Sequence, residues 1–233
     1  MVNSRDAFLE RVRKAVASGN RAGIAHPLPE RNGVGYQGGG PDPLSSFQNE
    51  WTLAGGQFQL LPDAHAARAK VLDLIHAHQA RKILLGRDPL VLTLNLREFL
   101  QGHGVEIVAW SEPEALATGE NEAVAYASGS AEPFFAADIG ISGVDYLIAE
   151  TGTVVMRSSP NQPRSISLLP PVHIALAERR QLVPDLFDLF EQLGTLPSCL
   201  TLITGPSKTG DIELRLVTGV HGPGTVHVLM LDS

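Results

Sequence analysis

From Leu44 onward, short apolar runs alternate with helix-length amphipathic stretches, and this alternation limits the fold more than any other feature of the chain. Phe47 and Trp51 stand one helical turn apart, and an apolar run follows at 57–61. Asp63 is placed to cap a helix that turns Ala67, Val71, Leu74 and Ile75 inward. Residues 82–85 read as a strand, 90–100 as a helix and 105–110 as a strand. Strands alternating with helices of this length predict right-handed βαβ units and a mostly parallel sheet. The second half is richer in strands, at 146–149, 153–157, 172–177, 200–204, 214–218 and 226–231. One helix interrupts them near 184–193, where Leu186, Phe187, Phe190 and Leu193 form its apolar stripe.

The N-terminal part obeys a different pattern. Ser4 can cap a helix whose Phe8, Val12, Ala15 and Val16 share one face. Residues 19–43 then lose all periodicity and collect eleven glycines and prolines, the composition of a flexible linker. The expected organisation is therefore a helix plus Gly/Pro-rich linker over 1–43 and one α/β domain over 44–233, a size that buries a substantial core.

Charge and cysteine content exclude several classes. The net charge is −7, and between Arg97 and Arg157 no lysine or arginine occurs while ten acidic residues do. Arg11, Arg13 and Lys14 are interleaved with Asp6 and Glu10, so no basic stripe suits nucleic acid. No apolar run approaches the roughly 18 residues that span a bilayer, and the N-terminus, with Asp6 and Glu10 inside it, is neither a signal peptide nor a good transit peptide. Cys199 is the only cysteine. It allows no intramolecular disulfide and no cysteine-ligated iron-sulfur or four-thiolate zinc site built from this chain alone, so a reducing cytoplasm is expected.

Three segments crowd glycines and polar residues at the ends of apolar runs, where open α/β sheets place ligands. In A-E-T-G-T (149–153), Glu150 stands at a turn with Thr151, Gly152 and Thr153; it could act as base, nucleophile or ligand grip, or simply cap a hairpin. In T-G-P-S-K-T-G-D-I-E (204–213), Gly205, Ser207, Lys208 and Thr209 offer N–H groups, hydroxyls and an ammonium to a small anion, with Asp211 and Glu213 just beyond. A tight solvent loop is the alternative. In G-V-H-G-P-G (219–224), His221 is held between glycines, where it could switch protonation near neutral pH. These segments are expected to converge at one rim of the sheet. The P-loop and dinucleotide spacings are absent, as is the G-x-S-x-G elbow of serine hydrolases. His173, His221, His227 and Asp211 lack a metal-ligand spacing, His65, His76 and His78 read as surface residues, and Cys199 reads as inert.

A-E-T-G-T-V-V, R-S-I-S-L-L-P-P-V-H-I, T-G-P-S-K-T-G-D-I-E and G-V-H-G-P-G, in this order, resemble the LUD domain of the lactate-utilization (LutC/YkgG) family. One departure is Gly210, where the family pattern usually has alanine. The resemblance implies a NagB/RpiA/CoA-transferase-like α/β sandwich with a largely parallel sheet and flanking helices. It also implies a non-redox subunit supporting oxidation of L-lactate to pyruvate, with no cofactor in this chain and iron-sulfur clusters in cysteine-rich partner proteins. CoA-transferases of that fold group use a glutamate in an E-x-G turn, which Glu150-Thr151-Gly152 echoes. A stand-alone CoA-transferase-like or sugar-phosphate isomerase-like enzyme using Glu150, or a small-anion sensor, therefore stands as the alternative.

Overall fold

The computed structural model describes residues 4–19, 38–108, 132–159, 161–194, 197, 199–210 and 216–232. The chain divides into two compact units, Met1–Tyr36 and Gln37–Ser233. The described part of the first is helix α1 (Ser4–Gly19), whose Phe8, Leu9, Val12 and Val16 are all exposed. Most of the expected linker, 20–37, lies outside the described residues. Its last part does not: Gly39 is buried and accepts a 2.8 Å hydrogen bond from Ser46 Oγ, which ties 38–43 to the second unit.

In the second unit, aspartates start the helices. Asp42 caps α2 (Pro43–Leu53), Asp63 caps α3 (Ala64–Ala77) and Asp88 caps α4 (Pro89–Thr93), each accepting a backbone N–H three residues on. Proline follows at the first helical position of α2 and α4, where its missing N–H costs nothing. The helix expected over 90–100 is two helices, α4 and α5 (Leu96–Gly102), because Asn95 adopts a left-handed φ of 47° between them.

Six strands form a wholly parallel sheet: β1 (Gln57–Leu61), β2 (Lys82–Leu85), β3 (Glu106–Ile107), β4 (Ile139–Gly143), β7 (Val172–Glu178) and β12 (Thr225–Leu231). Their order is β1-β12-β7-β4-β2-β3. One face packs on α3, α4 and α5 through Val71, Ile75, Leu96, Leu100, Ile141, Ile174 and Leu229, and short helix α6 (Glu132–Phe135) leads into β4. The other face packs on α2 and on a second sheet of β5 (Tyr146–Ile148), β6 (Thr153–Arg157), β8 (Leu182–Val183) and β9 (Leu200–Ile203), ordered β8-β5-β6-β9. Helix α8 (Leu186–Leu193) covers that sheet's far side through Leu189 and Leu193. A ribbon of β10 (Lys208–Gly210) and β11 (Leu216–Thr218) and the short helix α7 (Ser165–Leu168) complete the described elements. This is the expected α/β class, with the parallel sheet and flanking helices in place. No helix among the described residues is long and apolar enough to cross a membrane.

Candidate functional site

The four-stranded sheet has two ends, and polar residues collect at both. At one end the sequence-predicted segments meet. Thr151 Oγ1 and Thr153 Oγ1 are 2.7 Å apart, and Thr153 Oγ1 is 2.7 Å from Thr204 Oγ1, so a chain of hydroxyls joins the Glu150 turn to the 204–210 segment. The Ser207 N–H donates to the Pro223 carbonyl at 2.8 Å and the Gly219 N–H donates to the Ser207 carbonyl at 3.0 Å, which joins that segment to the His221 loop. Gly205 (φ 81°) sits against Ala54 at the end of α2, and the Lys208 ammonium donates to the Ala54 carbonyl.

These contacts reassign several groups. Lys208 caps the carbonyl end of α2, a favourable place for a cation, and together with Thr209 it belongs to β10 rather than to an open loop. The Ser207 N–H, expected to face an anion, is already used by Pro223. Gly152 has φ 57°, and a Cβ there would collide with the backbone of Glu50 and Trp51, so close approach to α2 accounts for this glycine without a ligand. Glu150 is half-buried, its N–H donates to the Pro184 carbonyl at 3.0 Å, and its carboxylate has no protein partner among the described residues. His221 is exposed. Asp211 and Glu213 lie outside the described residues.

The edge on which this cluster lies differs from the expected one. Ala54 precedes β1, and the Gly224 N–H donates to the carbonyl of Pro171, the residue before β7. The cluster therefore lies along the N-terminal ends of the parallel strands, whereas open α/β sheets bind ligands beyond the C-terminal ends.

At the C-terminal edge the sheet has a topological switch point. From β2 the chain moves outward to β3, then returns to the other side of β2 as β4. Asp88, just past β2, bridges the gap: Oδ1 accepts the Val91 N–H at 3.1 Å and Oδ2 accepts the Gly143 N–H at 2.7 Å. Ser159, Asn161 and Gln162 lie beside both strand ends, with the Arg87 N–H donating to the Asn161 carbonyl at 2.9 Å and Gln162 Nε2 donating to the Gly143 carbonyl at 2.7 Å. Beside it, at the second end of the four-stranded sheet, Asp145 holds Arg157 through Nε at 2.7 Å and the backbone N–H at 2.6 Å. That hydrogen bond and the Asp145 charge raise the Arg157 pKa, so the guanidinium stays charged. Between these groups opens a cavity of about 490 Å³. Sequence reading did not single out its walls, Arg87, Asp88 and 157–162; the available signal was a polar G-R-D-P or R-S-S-P-N-Q run directly after an apolar strand.

His173 and His227, which lack a metal-ligand spacing in the sequence, face opposite sides of the sheet. His173 is fully buried with Nε2 at 2.9 Å from Ser142 Oγ, and burial, with a smaller contribution from His227, lowers its pKa to about 3. His173 pairs with Val226 in register, so His227 points to the opposite face, where its Nε2 lies 3.2 Å from that of His78. His78 is exposed, as expected, and adds a contact with His227 that the sequence did not show. Among the described residues no three His, Cys, Asp or Glu side chains are grouped to hold a metal ion.

Comparison with known proteins agrees with this architecture. The chain is 36% identical over 158 residues to lactate utilization protein C of Halalkalibacterium halodurans, covering 65% of this chain and 63% of that protein. It is 43% identical over 104 residues to lactate utilization protein C of Bacillus subtilis, covering 41% and 43%. Both matches thus span less than two thirds of the relative's length. A solved structure of a DUF162 family protein from Deinococcus radiodurans shares the fold, with a TM-score of 0.53 at 19% identity over 82% of this chain and 96% of that one. The LUD domain profile matches residues 44–231, which contain both sheets and both polar ends: the chain belongs to the LUD-domain family.

Proposed function

We propose that this protein supports the oxidation of L-lactate to pyruvate in the cytoplasm as a subunit with no redox centre of its own, beside cysteine-rich iron-sulfur partner proteins. The observation that carries this reading is the similarity, over 158 residues, to a protein named for lactate utilization. The single cysteine supports the division of labour, since a thiolate-ligated cluster needs several. In this reading the hydroxyls of Thr151, Thr153, Ser207 and Thr209, together with His221, offer a small anion its hydrogen bonds, and Asp211 and Glu213 flank them.

Deletion of the gene tests the role directly. Growth on L-lactate as sole carbon source should be lost while growth on glucose is kept, and tagged protein from lactate-grown cells should bring down iron-sulfur proteins. Unimpaired growth on lactate would overturn the proposal. One observation favours a second reading: the Glu150 carboxylate has no protein partner among the described residues and stands at the start of the hydroxyl chain. If Glu150 is instead catalytic, purified protein turns over acyl-CoA with Glu150 as nucleophile or a sugar phosphate with Glu150 as base, and Glu150→Gln abolishes that turnover.

A further inference from the structure

From the crevice at the switch point we infer a second binding site, one for a small organic anion whose carboxylate or phosphoryl head meets Arg157 and Arg87 and whose body lies along Pro89, Leu92 and Pro197. The inference does not depend on the role in lactate utilization.

Topology supplies the first ground. The strand order reverses at the β2–β4 pair, with β3 on one side of β2 and β4 on the other, and a crevice at such a point is a general feature of open parallel sheets. Its size of about 490 Å³ falls within the usual range of small-molecule pockets.

The second ground is how the charged groups are used. Four ionisable side chains line the cavity, two acidic and two basic, so their formal charges cancel. Their hydrogen bonding does not. Both oxygens of Asp88 accept backbone N–H groups, and both oxygens of Asp145 accept donors from Arg157. These carboxylates hold the frame. Arg157 contributes only Nε to its ion pair, which leaves both terminal nitrogens of the guanidinium without a protein partner among the described residues. That is the pair of donors that recognises a carboxylate or phosphoryl group end-on. Arg87 lines the same cavity, as do Ser158, Ser159 and Asn161, whose side chains are suited to hydrogen-bonding an anion.

The third ground is an apolar wall in a polar site. Leu92 is 65% exposed and lines this cavity with Pro89 and Pro197. A bare inorganic ion would leave that wall in water, whereas an organic anion would cover it.

The test is titration calorimetry of the full chain with pyruvate, L-lactate, inorganic phosphate and phenyl phosphate, combined with phenylglyoxal labelling of arginines read by mass spectrometry. Saturable binding of at least one probe is expected, with protection of Arg157 from labelling. Arg157→Gln and Arg87→Gln should each weaken that binding about tenfold, as loss of a charge-assisted hydrogen bond does. Lys82→Gln, at the opposite edge of the same strand, should leave it unchanged. Preference for the carboxylates or for the phosphates identifies the head group, and phenyl phosphate exceeding phosphate supports the apolar wall. Because Arg157 is half-exposed its replacement should fold normally, and the labelling readout needs no variant. No saturable binding of any probe at millimolar concentration, or binding that neither arginine variant weakens, overturns the inference. Loss of growth on lactate in the deletion strain would stand in either case.

Discussion

His173 and His227 are buried in their neutral forms, and this fixes how the fold responds to acid. Burial is the main cause of lowering for both, to about 3 for His173 and about 4 for His227, where His78 and Lys70 contribute further. In the unfolded chain both would titrate near 6.5. The unfolded state therefore takes up protons first as pH falls. Stability is fully present above about pH 6.5 and is lost, at roughly 1.4 kcal/mol per pH unit for each histidine, as pH drops toward the folded values. Urea denaturation at pH 7.5 and 5.5 should thus differ by about 3 kcal/mol, and His173→Gln should remove about half of that difference. Equal stability at the two pH values would mean that neither ring is held neutral. These roles were only partly legible in the sequence. Alternation with Val226 and Val228 marked His227 as a strand residue, but its neighbour His78 comes from a helix 149 positions away along the chain.

At the level of elements, what could be read depended on how each one is buried. Strands with a continuous apolar run, such as β2 and β12, and helices with an aspartate cap, such as α3, were legible because periodicity and capping act locally. The central strand β4 reads I-G-I-S-G and was not anticipated, since its glycines suggest a turn. They are there because α7 lies directly on Gly140 and the Asp88 carboxylate occupies the space of a side chain at Gly143. The same cause hid the crevice: its residues come from 87–92, 145, 157–159, 161–162 and 197, and only the insertion of β4 beside β2 brings them together. Asp88 joins these elements, and its removal leaves both the start of α4 and the Gly143 N–H without a partner. Asp88→Ala should cost about 2–4 kcal/mol, the sum of a lost cap and a buried donor left unsatisfied. Asp88→Asn, which can still cap, should cost less. Equal loss in the two variants, measured by urea midpoint, would show that the charge and the second acceptor oxygen, which Asn lacks, carry the contribution, because Asn keeps the shape of Asp.

For the whole molecule the question is which part of the chain the fold requires. The described hydrophobic core runs from Phe47 to Leu231 and draws on β1, β2, β4, β5, β6, β7, β8 and β12, with Ile107 of β3 and Leu200 and Ile203 of β9 packed against it half-buried. No described side chain of helix α1 is buried; Phe8, Val12 and Val16, the stripe that made it legible as an amphipathic helix, are 41–56% exposed. An apolar stripe is normally buried on something, so its exposure separates two properties that the sequence pattern alone runs together: the capacity to form a helix and a place in the core. Residues 38–42 behave oppositely. They carry the glycines and proline of a linker, yet Gly39 packs against Ala149 and Pro184 and Asp42 caps α2. The boundary that matters for stability therefore falls near Gln37 rather than at 43. A chain beginning at Gln37 should unfold within about 2 °C of the full chain, because for a domain of this size 1 kcal/mol moves the midpoint by only about 2–4 °C. A chain beginning at Leu44 loses the Asp42 cap, Pro43 and the packing of Gly39 beneath Pro184, and should melt measurably lower. Calorimetric scans of the three lengths decide it: a large drop on removing the first 36 residues would place α1 in the cooperative unit, and no drop on removing 43 would return 38–42 to the linker.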